Sequence, residues 1–473
     1  MGTVSFVLAD ALPADARQAA GRACLAGGYD LAPVPTKVQV ENDRLVLRKE
    51  PAESGVVLVD WPVATVGPVT CSSATLRDRV EPYHLVVELA RGRVNQLRLR
   101  VTEWSALGLE VPAEDQAELA DLTRRFGKLT LSPTDADALA LGDEILTRSY
   151  RLGDRLARLV ADLLVRNRAA NATVPPPGIS CRLARRPSRE DEARFLETFT
   201  AVRLVPDWSL IEPTESGYDW QPFEDVLRWA EGVGLEVSVG PLVDLTNGPF
   251  PGWLRQWDGD MPSLATFMCD FAETLIRRYQ NRVRTWQVFA GFNHADALGL
   301  GEDDRLRLAA RLLEATRQTD PAAEWVVGIA QPWGDYLCSE DYTYSPLVFA
   351  DTLLRAGFRF AAVELEVFTG AGGRASRPRD PLDTFRMLEL FGVLGMPLEV
   401  SVGCPLHPAT AVYPQGWADI ALTLTAAMPH VRRVGWEAWD EGPTNRVPGC
   451  GLAAADGSSV LARLTGLRPA ATL

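Results

Sequence analysis

The side chains of this 473-residue chain best suited to chemistry are carboxylates near the ends of short apolar runs. Glu364 and Glu366 stand two apart, so on a strand both point the same way. Glu437, Asp440 and Glu441 cluster after a later run, and Asp207, Asp244, Asp296 and Asp335 follow others. Two facing carboxyl groups about 5 Å apart can split an acetal, one protonating the leaving oxygen while the other attacks the carbon. Glu366 with Glu437 is the fallback pair these positions offer; the alternative is that each is a solvated or arginine-paired rim residue. A second set of residues suits binding without reaction. Trp253, Trp333 and Trp439 fall near run ends, as do Trp208, Trp220, Trp257 and Trp436, where an indole face can stack on a pyranose ring or simply plug a cavity. Asp440, Asn293 and His294 are their polar companions, although a loop histidine without a carboxylate or cysteine partner is ordinarily a surface group.

Composition narrows the classes of function. The 47% hydrophobic and 23% charged content is that of a soluble globular protein. A net charge of -14 opposes binding to a polyanion, so no nucleic-acid partner is expected. No run approaches the roughly 18 apolar residues of a membrane span, and the first residues lack the basic start of a secretory signal. The seven cysteines are scattered without metal-ligand spacing, which favours reduced thiols in a cytoplasm and indicates neither a metal nor a cofactor. Lysine occurs only at Lys37, Lys49 and Lys128, every other basic side chain apart from histidine being arginine.

The elements that must carry these residues divide the chain in three. Residues 1–110 are expected to form a β-rich, sandwich-like domain, on alternating runs such as Val38 to Val40, Leu45 to Leu47, Val56 to Val59 and His84 to Leu89. Residues 111–173 form a helical connector, with helices near Ala113 to Phe126 and Asp135 to Asn167; the second is expected to pack within the monomer, the alternative being a partner surface. The run Val174-Pro175-Pro176-Pro177-Gly178 ends that helix and opens the third unit, 174–473. There eight strand candidates, from Ile179 to Leu183 through Val431 to Trp436, alternate with helical runs, the pattern of an α/β (β/α)8 TIM barrel. In such a barrel the chemistry sits at the carboxyl ends of the strands.

Within that unit, Trp208 through Glu212-Pro213 to Gly217-Tyr218-Asp219-Trp220 is similar to the Trp-Glu-x-x-Glu-Pro-x-x-Gly-x-Phe stretch of glycoside hydrolase family 10, the endo-β-xylanases. Pro251-Gly252-Trp253, Arg278-Tyr279, Val283 to Val288, Thr319 to Ala323, and Trp436, Asp440, Gly451-Leu452 and Asp456-Gly457 resemble further segments in the same order, so the likeness covers about Gly178 to Leu467. The resemblance implies an acid/base Glu after the fourth strand and a nucleophilic Glu at the end of the seventh. Here those positions are occupied by Gly291 and Val402. No Asn-Glu pair exists in the chain, no Thr-Glu follows Thr214-Glu215, and no lysine follows Lys128. The family's two histidine positions correspond to Pro241 and Phe368.

The expectation is therefore a xylanase-like barrel that is catalytically inactive and binds a carbohydrate or a protein partner. The alternatives are an O-glycosyl hydrolase with relocated carboxylates, and a structural protein in which the long helix forms a homo-oligomer interface.

Overall fold

Eight parallel strands close into a barrel: Gly178–Leu183, Ala201–Leu204, Glu236–Val239, Thr285–Ala290, Glu324–Ala330, Ala362–Phe368, Leu398–Gly403 and Val431–Trp436. Each pairs with the next, and the eighth returns to the first through Arg433 opposite Gly178 to Trp436 opposite Cys181. The computed structural model describes residues 2–8, 12–41, 43–50, 53–134, 137–171, 173–246, 248–294, 298–338, 342–370, 376–407, 416–454 and 457–468, so Asp296 and Asp456 lie outside the described residues. Helices alternate with the strands on the outside, in the (β/α)8 order expected. Several start in the same way: Asp260, Ser345 and Asp380 each accept a backbone N–H of the first turn, and Pro262, Pro346 and Pro381 lie within that turn. Such a cap satisfies a donor that the helix cannot, and proline there gives up no hydrogen bond.

The N-terminal region holds two four-stranded sheets. One runs in the order Lys37–Glu41, Arg44–Lys49, Gly2–Val7, Tyr83–His84, and the other Ala32–Val34, Cys24–Gly27, Val56–Val63, Gly67–Ser72. Val4, Phe6, Leu45 and Leu47 of the first share a core with Val57, Val59 and Trp61 of the second and with Ala16, Ala19 and Ala20 of the helix Ala14–Ala20.

One sequence-based expectation is overturned here. His84 to Leu89 alternates like a strand, but Leu85–Ala106 is a helix of 22 residues. Leu85 and Leu89, four apart, face the N-terminal core, while Ala90, Val94 and Leu97 face the barrel side. A six-residue window cannot separate that two-sided burial from a period of two.

Two further helices, Ala113–Leu131 and Ala138–Ala170, complete the connector. The second packs within the monomer, against Leu85–Ala106, Ala113–Leu131 and the barrel helices Pro381–Gly392 and Trp417–Ala427. Near its end the Arg168 guanidinium donates to the carbonyls of Ala426 (3.0 Å), Met428 (2.7 Å) and Val431 (2.9 Å), fixing the helix to the entry of the eighth strand.

The helix Leu85–Ala106 lies so close to the second sheet that a Cβ on Gly92 would fall 2.0 Å from the Ser72 carbonyl oxygen and 2.5 Å from the Ser73 carbonyl carbon. Alanine is the better helix former by about 1 kcal/mol, but backbone on both sides leaves no room. Gly92→Ala should therefore destabilise the protein by roughly 1–3 kcal/mol, read as a lowered urea midpoint; an unchanged or raised midpoint would show that the two elements do not touch here.

Candidate functional site at the barrel mouth

The side chains pointing into the barrel are ionic. On the seventh strand Glu399 and Ser401 face inward; on the sixth, Glu364 and Glu366; and Arg182, Arg203 and Arg433 come from the first, second and eighth. They form two tiers. In the lower tier Arg203 bridges Glu364 and Glu399 and also donates to Gln287 (3.1 Å), while the Ser401 hydroxyl donates to Glu364. Arg432 (2.8 Å) and Arg433 (3.7 Å) close on the other oxygen of Glu399. Burial opposes ionisation of Glu399, but Arg433, Arg203 and Arg432 outweigh it and hold the carboxyl at about 2.

The upper tier contains the fallback pair. Arg446, on the loop after the eighth strand, sits between the two carboxylates: Nη1 is 2.6 Å from Glu366 Oε1, and Nη2 is 2.7 Å from Glu437 Oε2. Its Nε and its backbone N–H also donate to Glu437, each at 2.9 Å. Arg182 adds a contact of 3.3 Å to Glu437, and the Phe368 ring lies 4.9 Å from the Arg446 guanidinium carbon. Burial pushes the Glu366 carboxyl up to about 7 against the pull of Arg446, with Glu364 and Glu437 adding to the rise. Burial opposes ionisation of Glu437 as well, but Arg446 and Arg182 hold it below the usual carboxylate range.

Two carboxyls with pKa values driven apart are what acid/base chemistry uses. Access is what this pair lacks. Glu366 and Glu437 are both 0% exposed. The void bounded by Arg182, Arg203, Glu364, Ser401 and Arg446 is about 10 Å³, and so is that by Trp208, Pro241 and Asp244, each room for about one water. These glutamates are arginine-paired, as the alternative reading had it, but in the interior and not on the rim.

The positions named by the resemblance are equally closed to a carboxylate. Gly291 has φ of +75°, and a Cβ there would lie 2.6 Å from Thr246 Cγ2. Val402 is buried, and strand alternation turns it toward the helices, since its neighbour Ser401 bonds Glu364 inside the barrel. The inward row of that strand ends instead at Gly403, where a Cβ would lie 3.0 Å from Glu437 Cβ. The inward-facing position next to Val402 is therefore Gly403.

The structure brings only part of the binding candidates together: Trp439 and Asp440 line one cleft, Asn293 and His294 sit side by side elsewhere, and Trp253 and Trp333 lie apart from both. Trp439 is 0% exposed, edge-on to Phe195 and Phe199, and offers no open face. Asn293 is a strut: it exchanges hydrogen bonds with the backbone N–H (3.0 Å) and carbonyl (2.8 Å) of Ala330. His294 lies beside it against Gln331 (2.9 Å), its ring pushed down to about 4 by burial and by Arg305. Trp253 is half-buried, its indole N–H given to the Glu212 carbonyl (3.0 Å). Trp333 lines a different cleft, of about 570 Å³, between the N-terminal sheets and the helix Pro381–Gly392.

An open cleft lies at the mouth among the described residues. It measures about 860 Å³ and lies among the loops after the first, second and eighth strands, lined by Arg185, Arg186, Asp207, Leu210, Trp229 and Asp440. Its carboxylates have partners: Asp440 meets Arg185 (3.3 Å), Asp207 caps Leu210 and accepts from Ser209 (2.6 Å), and Asp225 accepts from Gln221 (2.6 Å). Among the described residues no cluster is placed to hold a metal ion, and no helix is long and apolar enough to cross a membrane. The arginines at the centre of the site, Arg182, Arg203, Arg433 and Arg446, are the residues that fill it and that sequence reasoning missed. Their signal was available for three of them, as an arginine inside an otherwise apolar run.

The chain is similar to solved xylanases. A psychrophilic glycoside hydrolase family 10 endo-beta-1,4-xylanase overlays at 10% identity with a TM-score of 0.42, covering 56% of this chain and 88% of that one. Xylanase 10B from Thermotoga petrophila RKU-1, in complex with xylobiose, gives 13% and 0.42 over 64% and 97%. Native xylanase10C from Cellvibrio japonicus gives 11% and 0.43 over 62% and 66%. Such identities assign no role to any residue here. A probable beta-galactosidase A of Emericella nidulans is 27% identical over 101 residues, 20% of this chain and 10% of its own length, so the chain spans about a tenth of that curated relative. No protein-family model matches the chain.

The raised Glu366 carboxyl makes a signed prediction. A folded-state pKa of about 7 against an ordinary 4.5 means that the folded protein holds the extra proton in that window. Its contribution to stability is complete below pH 4.5 and is lost as the pH rises toward 7. Relative to Glu366→Gln, the wild type should lose on the order of 3 kcal/mol across that window, measured by urea unfolding at several pH values. A constant difference would place the proton elsewhere.

Proposed function

We propose that this chain is a xylanase-like (β/α)8 protein that does not hydrolyse glycosides and that binds carbohydrate in the open cleft at its mouth. The observation that carries the first half is the Arg446 guanidinium between Glu366 and Glu437, both fully buried. A carboxyl that is to protonate a leaving oxygen, or attack an anomeric carbon, must touch substrate, and an arginine fills the place where substrate would sit. Relocated carboxylates in the cleft have little support, since Asp207, Asp225 and Asp440 are committed to local hydrogen bonds or ion pairs.

The second half rests on the cleft's size and lining. Its volume of about 860 Å³ falls in the range of small-molecule sites. Trp229 and Leu210 supply apolar surface, and Arg186 supplies hydrogen-bond donors suited to hydroxyl groups, beside Arg185 and Arg228 in their ion pairs to Asp440 and Glu224. A protein partner is the second reading, favoured by Leu210, which is 55% exposed at the same cleft.

Purified protein should release no sugar from xylan, cellulose or aryl-glycosides, and Glu366→Gln should leave that result unchanged. Turnover that disappears with Glu366→Gln would overturn the proposal. Calorimetric titration with xylo- and cello-oligosaccharides should detect binding that Arg186→Ala weakens by roughly tenfold, the worth of one charge-assisted hydrogen bond. Retained affinity in that variant would move the ligand away from this cleft, and no glycan binding at all would favour the protein partner.

A further inference from the structure

The N-terminal sheet and the barrel meet at two sulfur atoms. Cys24 opens the strand Cys24–Gly27 and, at 1% exposure, packs with Ala26, Val56 and Leu58 in a small apolar cluster. Cys338 closes the short turn Asp335–Cys338 after the fifth barrel strand and packs on that cluster. The two thiols are therefore neighbours across the junction. Beside them lies Arg377, whose Nη2 donates to Cys338 Sγ at 3.6 Å. That arginine is held in place by its backbone N–H, which donates to Asp335 Oδ2 at 2.7 Å, and by Asp60, 4.0 Å from its Nη1.

We propose that Cys24 and Cys338 are a peroxide-sensitive thiol pair, in which Cys338 attacks the oxidant and Cys24 resolves the product into a disulfide that fastens the N-terminal sheet to the barrel. The geometry divides the roles. Cys338 is half-buried, whereas Cys24 is buried in its cluster, and Cys338 is the one other cysteine packed there among the described residues. Acidity divides them in the same way. The hydrogen bond from Cys24, aided by the positive charge of Arg377, holds the Cys338 thiol below its ordinary value. The same hydrogen bond, with burial, raises Cys24 well above its own. The other five thiols are all raised by burial: Cys71 and Cys404 to about 12, Cys269 to about 11, and Cys181 and Cys450 well above the ordinary value. A lowered, accessible thiol beside a resolving partner is the arrangement that reacts selectively.

The chemistry balances with a hydroperoxide as oxidant. The Cys338 thiolate attacks the O–O bond and keeps one oxygen as a sulfenic acid, and the other oxygen leaves as hydroxide or alkoxide and takes up a proton. The Cys24 sulfur then forms the S–S bond, displacing the sulfenic oxygen as hydroxide, which leaves as water with the proton given up by Cys24. Two thiols lose two electrons and two protons, and the peroxide is reduced to water, or to an alcohol and water. No further reactant is needed.

The test uses the full, reduced chain exposed to hydrogen peroxide, then alkylated and mapped by mass spectrometry without reductant. A peptide joining Cys24 to Cys338 should appear at least roughly tenfold faster than any oxidation of Cys269, which is also half-buried but less acidic. In Cys24→Ser, Cys338 should stop at a sulfenic acid that dimedone traps; in Cys338→Ser, Cys24 should stay reduced. Arg377→Gln should slow the reaction severalfold while circular dichroism remains that of the wild type. Oxidation of Cys269 ahead of Cys338, or a wild-type Cys338 that stops at the sulfenic acid with Cys24 still reduced, would overturn the pair.

Discussion

Charge inside the barrel is the constraint from which the rest of the molecule follows. The interior of a (β/α)8 barrel is ordinarily filled by layers of branched apolar side chains. Here Arg182, Arg203, Arg433 and Arg446 meet Glu364, Glu366, Glu399 and Glu437 in that space. Leaving any one of them unpaired in the interior costs about 3–5 kcal/mol, so each long side chain must be placed to satisfy the others. Ser238, a small residue on the third strand, lies where two of them pass: its Oγ is 3.4 Å from Arg203 Nε and 3.4 Å from Arg433 Nη1. Packing and electrostatics thus agree on one arrangement, with carboxylates where the guanidinium groups end.

That arrangement also decides what the mouth can do. Glu437 takes donors from Arg446 and Arg182, and Glu366 from Arg446, so the two carboxyls nearest the expected reaction centre are committed to holding a loop. A catalytic carboxyl needs a proton inventory that changes during turnover, and a substrate within hydrogen-bond reach. Arg446 supplies a fixed positive charge in place of both. The same residue occupies the centre of the mouth, with the Phe368 ring 4.9 Å from its guanidinium carbon, and the more open space lies among the loops after the first, second and eighth strands.

The architecture was legible in the sequence because barrel strands are short apolar runs buried on both faces, and each of the eight lies within a residue or two of its expected place. Where the reading failed, the causes are physical. The helix from Leu85 is buried on two opposite sides, which erases the single-faced pattern that marks a surface helix. The facing of the seventh strand, by contrast, was in the sequence: Glu399 and Ser401 are the polar members of Leu398-Glu399-Val400-Ser401-Val402-Gly403, so Gly403 shares their side and Val402 does not. Arg446 was not legible at all. It lies nine residues beyond Glu437 in a loop of ordinary composition, and only the fold of that loop brings it between two strands.

The N-terminal region has a place in this logic, because it does not attach at a neutral surface. Its contacts fall on the segment after the sixth strand and the helix Pro381–Gly392 that follows, and on the turn after the fifth. The Thr70 N–H donates to the Pro378 carbonyl (2.6 Å), Arg93 pairs with Asp380 (2.6 Å), Gln96 donates to Asp383 (3.0 Å) and Arg100 pairs with Glu389 (2.7 Å). Arg379, on the same segment, reaches back to Asp335 at 2.5 Å. The Arg93 and Asp380 side chains are 2% and 4% exposed, so this is a junction with a buried ion pair at its centre and not a hinge. Those loops leave the carboxyl ends of the strands, where a barrel ordinarily admits its ligands. With the fifth and sixth strand loops bound to the N-terminal region and the centre filled by Arg446, the side bounded by the first, second and eighth strands keeps a cleft of about 860 Å³. The N-terminal region and the ionic interior therefore act in one direction: each removes a route to the middle of the barrel, and together they turn a mouth built for access into a fixed surface with a cleft at its edge.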